Sequence, residues 1–451
     1  MPSQVKHLSK VYGLSSERVT ELLRSGELNI DVVGIGNMGL PVAALLAREG
    51  ANVIGVRRNA RLVDQINMGI CPIRGEPGLD DMIRDLVGRG KLRATTDAES
   101  AARASDVIII LVPLLVDSKG RPDFSNILKA CGSVSKGLGR GDLVIVETTM
   151  PPGSTRNVIA PALSASGLKP GKDFGLVHAP ERLMTGRVIR NMYKYPKIIG
   201  GWDEKSVDAA VGLFAPFGEV VRVSSLEAAE LVKISEGVYR DLNIAYANTL
   251  ALFCEKHGVN VWEVVEAANK GTSDYCHIHM PGSGVGGHCI PVYPHFLIEK
   301  GREYGVDTSL IRDARRINDS MPRHMKELID MCLADQGKKP SSSTVAVLGI
   351  AFRGGVKETR FSPGISLVKL LEGYRDVVVH DPMFPAEEIT KMGMKPATLE
   401  EALSSDCIAI VTAHREYLEA ADLLRGVSDR VVDGRNVLPQ AKYRIGDLTN
   451  R

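Results

Sequence analysis

From residue 30 onward, short apolar runs alternate with stretches in which apolar positions recur at helical spacing. Residues 30–33, 52–56, 106–112, 143–147 and 175–178 are strand-length, and helical patterns such as 40–48 separate most of them. Continuous apolar strands alternating with helices indicate a parallel, doubly wound sheet. The pattern changes at Leu226. Leu226, Ala229, Leu231, Val232, Ile234, Val238, Ile244, Ala245, Ala247 and Leu250 keep a helical period over a stretch too long for one βα unit. That predicts a long connecting helix in a helical central domain. Residues 337–343, Gly-Lys-Lys-Pro-Ser-Ser-Ser, read as a linker. The first pattern then returns: 344–349 is a strand entering a glycine turn, 377–381 a strand ending in an acid, 405–411 parallels 105–111, and 431–433 closes the set. Before the first strand, Ser15 to Arg18 predict a capped start for a short helix over 19–23. The expected fold is α/β, with two Rossmann-type doubly wound parallel sheets joined by a central α-helical domain. Its divisions are a helical appendage at 1–28, a nucleotide-binding domain at 29–223, the helical domain at 224–335 and a second Rossmann-like domain at 336–451.

Composition narrows the function. A chain of 451 residues with 44% apolar and 24% charged residues builds several cores and is not wholesale disordered. A formal charge of +2 gives no reason to expect nucleic acid or a membrane surface as partner. Apolar runs are strand-sized, and no signal peptide is visible at the N-terminus. The seven cysteines form no CxxC pair, which argues against a disulfide framework and for a reducing cytoplasm.

Two segments carry chemistry. Gly34, Gly36 and Gly39, with Asn37 and Met38 between them, form GxGxxG after a predicted strand and at the opening of a predicted helix. Such a turn lets a pyrophosphate approach backbone and helix N-terminal amides, so a nicotinamide dinucleotide is the expected cofactor. NAD sites place an acid at the end of the second strand; here Arg57 and Arg58 stand there, which leaves NADP open beside NAD. The second segment, 281–291, is a glycine-dense loop ending in Cys289. Its glycines allow backbone amides to crowd a ligand next to a thiol. Cys276, His277, His279 and His288 lack a standard metal-ligand spacing, so no metal is expected.

Taken in order, the motifs make nearly the whole chain after residue 29 resemble the UDP-glucose/GDP-mannose dehydrogenase family. The motifs are the glycine turn, 147–155 (Glu-Thr-Thr-Met-Pro-Pro-Gly-Ser-Thr), 179–186 (Ala-Pro-Glu-Arg-Leu-Met-Thr-Gly), 229–233 (Ala-Glu-Leu-Val-Lys), Gly-Gly-His-Cys at 286–289, 316–319 (Arg-Ile-Asn-Asp) and 349–353 (Gly-Ile-Ala-Phe-Arg). The ProGluArg and GlyGlyHisCys variants are similar to the branch acting on UDP-N-acetylhexosamines. The resemblance implies oxidation of a sugar C6 alcohol to a carboxylate in two hydride transfers, with Cys289 as nucleophile, Lys233 on the oxyanion, and Glu181 and Thr149 positioning water. It implies cofactor contacts from Gly34, Gly36, Asn37, Met38, Gly39, Arg57, Arg58, Pro113 and Thr149. Sugar-nucleotide contacts fall to Glu181, Arg182, Leu183, Lys233, Gly284, Gly286, Gly287, His288, Phe352, Arg353 and Arg360. UDP-N-acetylmannosamine is the first expected substrate, and a homodimer through the helical domain the expected assembly. Two positions depart from the family. Its usual Asn four residues after the lysine is Gly237, and its usual Asp four residues after the cysteine is Tyr293. Tyr293 keeps a hydrogen-bond donor, and Glu236 or His288 could stand in. The alternatives are a dehydrogenase of UDP-glucose or another UDP-hexose, a nucleotide-sugar-binding protein with attenuated catalysis, and a hydroxyacid-type dehydrogenase, against which the thiol loop speaks.

Overall fold

A computed structural model describes residues 11–117, 121–272 and 275–451. The chain divides into two compact units, Met1–Ser235 and Glu236–Arg451.

The first unit is built on α1 (Ser16–Ser25), β1 (Asn29–Val33), α2 (Gly39–Arg48), β2 (Asn52–Val56), β3 (Leu92–Thr95), β4 (Val107–Ile110), β5 (Leu143–Val146), β6 (Gly175–His178), β7 (Lys197–Gly201) and β8 (Val220–Val223). Its sheet runs β8-β7-β6-β5-β4-β1-β2-β3. All neighbours are parallel except β6 and β7. β4 and β5 are buried along their whole length, as β-branched strands covered on both faces should be. The strands that the apolar pattern does not reveal, β3, β7 and β8, are peripheral and carry Arg93, Lys197 and Arg222, which break the run. Because the order reverses between β1 and β4, a crevice opens at their carboxyl ends.

α1 is not an appendage. Ser15 caps it by accepting from the Arg18 amide, but Val19, Leu22 and Leu23 are at most 3% exposed and belong to the first core. Thr20 Oγ1 donates to Gly212 O at 2.7 Å, on the helix Glu204–Phe214, where a glycine allows the close approach. The first ten residues of the expected appendage lie outside the described residues.

A 32-residue helix, α3 (Leu226–His257), runs through the division, its first ten residues counting with the first unit. The second unit adds α4 (Val261–Asn269), α5 (Tyr293–Tyr304), α6 (Ser309–Asp335), β9 (Thr344–Leu348), α7 (Pro363–Leu370), β10 (Asp376–His380), β11 (Lys395–Pro396), β12 (Cys407–Ile410), β13 (Val431–Asp433) and β14 (Tyr443–Arg444). The second sheet is parallel throughout, in the order β11-β10-β9-β12-β13-β14. The helical stretch expected as a separate domain shares one core with this sheet. Met321, Met325, Leu328 and Cys332 of α6 pack with Val345, Val347, Ala409 and Val432. An amphipathic helix buries its apolar face on the nearest apolar surface, and here that surface is a sheet. The segment read as a linker is pinned: Lys338 pairs with Asp406 at 2.6 Å and Ser343 Oγ donates to Lys339 O at 2.8 Å.

Candidate active site

The three glycines of the first turn have three different reasons to be glycine. Gly34 has φ +107°, and a Cβ there would lie 2.6 Å from Leu111 O. A Cβ on Gly39 would collide with the Gly34 carbonyl, so this glycine lets α2 close on the turn. A Cβ on Gly36 would meet nothing within 4 Å, so the turn is open on this side. Tight turn, close packing and open approach are what a pyrophosphate cradle requires. Asn37 is exposed and Met38 half-buried at the start of α2, with no side chain capping its first amides. Pro113, exposed just beyond β4, and Thr149, just beyond β5, flank the same end of the sheet. The residues present therefore fit a dinucleotide. Arg57 does not reach outward as expected of a ribose-binding position: its Nη1 donates to Ile35 O at 2.8 Å, inside the glycine turn. Arg58 is exposed, with Nη1 3.3 Å from Asn126 Oδ1.

At the carboxyl end of β5 and β6 sits a shielded acidic cluster. Glu181 is 8% exposed. Its Oε1 accepts from the Leu183 amide at 2.6 Å, while Oε2 has no hydrogen-bond partner. Lys197 Nζ is 3.9 Å from that oxygen and pairs closely with the fully buried Glu147. Burial pushes the Glu147 carboxyl up, Lys197 pulls it back, and Glu181 pushes it up again. A buried carboxylate oxygen with an open acceptor suits a hydroxyl or a water. Arg182 is held by Pro196 O at 3.0 Å. Lys233 is half-buried on α3 and has no ion pair among the described residues. Beside the cluster, Glu230 accepts from the amides of Gly153 and Thr155 at 2.5 and 2.7 Å and from Thr155 Oγ1 at 2.6 Å. It fixes the Pro-Pro-Gly-Ser-Thr turn that follows Thr149.

In the second unit the glycine loop has a reason not anticipated. A Cβ on Gly286 would come 2.8 Å from Phe352 Cβ, one on Gly287 2.9 Å from the Phe352 ring, and one on Gly284 3.2 Å from Pro363. The glycines let the loop press on the segments flanking β9 and α7, besides exposing amides. Gly287 N donates to Arg360 O at 2.8 Å, and His288 Nε2 is 2.7 Å from Glu358. Arg353 and Arg360 lie over the rings of Phe352 and Phe361. Cys289 is exposed and, among the described residues, is the exposed member of the seven free cysteines. Tyr293 begins α5, its amide donating to Cys289 O at 2.9 Å and its hydroxyl lying 3.2 Å from Cys289 Sγ.

Several supports escaped the sequence reading. Arg435 lies half-buried under the loop, with Nε donating to Val411 O and Nη2 to Gly284 O at 3.0 Å. Burial pulls its guanidinium down to about 10, so it stays charged at neutral pH. Asn248 accepts from Gly282 N at 2.9 Å and bonds Asn318, which reaches Asp241. Lys197 and Glu230 were missed as well. All act over long sequence distances, and no local pattern marks them. The second sheet also handles its strand-end acid differently: Asp381 accepts from the amides of Ile350 and Ala351 at 2.7 and 2.8 Å, filling its own glycine turn. Among the described residues, no group of three or more His, Cys, Asp or Glu side chains could hold a metal ion, and no helix is long and apolar enough to cross a membrane.

The first unit carries a glycine turn that fits a dinucleotide, and the second an exposed thiol on a hydrogen-bonded glycine loop; a dinucleotide turn on a parallel sheet of this kind is the mark of a dehydrogenase fold. Residues 28–218 match the NAD binding domain of the UDP-glucose/GDP-mannose dehydrogenase family, 227–320 its central domain and 346–440 its UDP binding domain. The chain belongs to that family: it is a nucleotide-sugar dehydrogenase, an oxidoreductase acting on CH–OH that uses NAD. It is 36% identical over 421 residues to the UDP-N-acetyl-D-mannosamine dehydrogenase of Pyrococcus horikoshii, covering 92% of this chain and 96% of that one. The NDP-N-acetyl-D-galactosaminuronic acid dehydrogenase of Ralstonia nicotianae is 35% identical, over 90% of this chain and 96% of its own length. The solved UDP-D-ManNAc dehydrogenase structure from P. horikoshii superposes with a TM-score of 0.85 at 35% identity, over 94% of this chain and all of that one.

Proposed function

We propose that the protein oxidises C6 of a UDP-N-acetylhexosamine, with UDP-N-acetylmannosamine as the first choice, to the uronate through a covalent bond to Cys289. The exposed thiol at the end of a clamped glycine loop carries this reading. The nicotinamide, when bound, takes up one hydride at each oxidation, so that one alcohol, two oxidised cofactors and one water yield one carboxylate, two reduced cofactors and three protons. Cys289 Sγ adds to the aldehyde carbon and holds it through the second oxidation as a thiohemiacetal and then a thioester. Water adds to the thioester carbon, the C–S bond breaks, and sulfur keeps the electron pair. Lys233 supports the negative charge on the substrate oxygen, and Glu181, with its open Oε2, takes the proton of the water, oriented by Thr149. Arg182, Leu183, His288, Phe352, Arg353, Arg360 and the amides of Gly284, Gly286 and Gly287 are assigned to the sugar nucleotide, guanidinium forks suiting a pyrophosphate.

Other features extend the reading. The absent acid at the end of β2 and the exposed Arg58 support acceptance of NADP as well as NAD. Tyr239, Tyr246 and Phe253, each more than half exposed and seven residues apart on α3, form one stripe suited to a homodimer contact. Seven unpaired cysteines suit a reducing cytoplasm.

Purified protein given UDP-N-acetylmannosamine, UDP-N-acetylglucosamine, UDP-N-acetylgalactosamine or UDP-glucose, each with NAD and with NADP, tests this by absorbance of the reduced nicotinamide. The expected result is two reduced cofactors per N-acetylhexosamine and none from Cys289→Ala. Tight sugar-nucleotide binding without reduction would establish the binding-protein alternative, and turnover surviving in Cys289→Ala would remove the thiol from the mechanism.

A further inference from the structure

The two departures near the chemistry occupy one place. A Cβ built on Gly237 of α3 would lie 2.6 Å from Tyr293 Cδ2, with Cγ and Cβ of the same side chain at 3.4 and 3.5 Å. These atoms are the root of the tyrosine side chain, so a longer residue at 237 cannot push them aside by turning a flexible end. The ring is fixed further. Tyr293 is 8% exposed, and its centroid is 6.1 Å from that of Phe296, one turn along α5. The Tyr293 amide closes a turn onto Cys289 O, which sets residues 289 and 293 on one face and brings the hydroxyl to 3.2 Å from Sγ.

We infer that Tyr293 is a catalytic residue that donates its hydroxyl proton in a hydrogen bond to Cys289 Sγ, and that Gly237 is glycine to make room for its ring. The inference rests on Cys289 being the nucleophile. The donor fixes the direction of the sulfur for attack and stabilises negative charge on it. Its effect is largest when sulfur leaves. As water adds to the thioester carbon and the C–S bond breaks, the electron pair returns to Sγ and stays there, stabilised by the hydrogen bond that the tyrosine hydroxyl donates. The Asn and Asp of the wider family are thus replaced by a matched pair, and neither position stands for a lost function.

Tyr293→Phe keeps the ring and removes the donor. A hydrogen bond to a charged partner is worth about tenfold or more in rate. The variant is therefore expected to turn over about tenfold more slowly with a KM for the sugar nucleotide changed less than twofold. It should also release a first burst of reduced cofactor before the slow phase, and carry substrate acyl mass on the Cys289 peptide in mass spectrometry. Alkylation of Cys289 by iodoacetamide at pH 7 should slow by a similar factor. Turnover, alkylation and adduct level all within twofold of the parent would overturn the inference, while loss of turnover in Cys289→Ala would still leave the thiol reading standing. The steric half is tested by coupling. Gly237→Asn alone should lose more than tenfold in turnover, and adding Tyr293→Asp should recover most of it; losses that simply multiply would show that the two sites are independent.

Discussion

His178, the last residue of β6, should make the first unit less stable as the pH falls below neutral. It is fully buried, and its Nδ1 lies 3.0 Å from Thr155 Oγ1. That hydroxyl gives its only proton to Glu230 at 2.6 Å, so it accepts from His178 and Nδ1 carries the hydrogen. Nε2 is left without a partner, and a proton placed there would have no acceptor. Burial first, and Lys197 second, pull the imidazole from 6.5 down to about 3. A group depressed on folding contributes stability above its unfolded pKa, and that stability is lost as pH falls toward the folded value. At pH 5 the unfolded imidazole is 1.5 units below its midpoint, which favours unfolding by about 2 kcal/mol, against about 0.2 kcal/mol at pH 7. Burial has raised the Glu147 and Glu230 carboxyls, which act in the opposite direction over part of this range, so the parent curve alone mixes signs. The difference between the parent and His178→Gln isolates the histidine. Trp202 belongs to the first unit and Trp262 to the second, and the sequence has no other tryptophan. Urea unfolding followed by Trp202 fluorescence in a Trp262→Phe background therefore reads the relevant unit. The advantage of the parent over His178→Gln should shrink by about 2 kcal/mol between pH 7 and pH 5. Parallel stability curves for the two proteins would refute the assignment of a neutral, acceptor-starved imidazole.

Gly36→Ala should fold with a stability change under about 1 kcal/mol, since its Cβ meets no atom, yet raise the KM for NAD about tenfold or more by filling the pyrophosphate approach; an unchanged KM would move the cofactor elsewhere. Gly39→Ala, whose Cβ meets the Gly34 carbonyl, should instead lose about 2 kcal/mol or more in thermal unfolding, and a normal melting temperature would contradict the packing described. Tyr246→Asp, a charge placed in the middle of the aromatic stripe on α3, should halve the mass measured by sedimentation. An unchanged assembly would locate the interface off that stripe.

Features set by neighbouring residues were legible: the Ser15 cap, the glycine turn after β1, the long period of α3 and the return of the strand–helix pattern after residue 344. Features set by distant residues were not. An acid at the end of a second Rossmann strand reads as a ribose ligand, yet Asp381 turns inward onto the amides of its own glycine turn, and Arg57 does the mirror-image task for Ile35 O. The strand-end residue alone therefore does not say whether a turn is open to a ligand; the first turn is open at Gly36 even though Arg57 bonds into it. The same logic governs Gly237 and Tyr293. Read singly along the chain, each subtracts a polar side chain from the family pattern and argues for a weakened enzyme. A Cβ at 237 would stand 2.6 Å from Tyr293 Cδ2, which makes them one change, because the volume one position gives up is the volume the other requires. Had the site simply decayed, nothing would oblige the smaller residue to stand against the larger one, or the larger one to end on the sulfur.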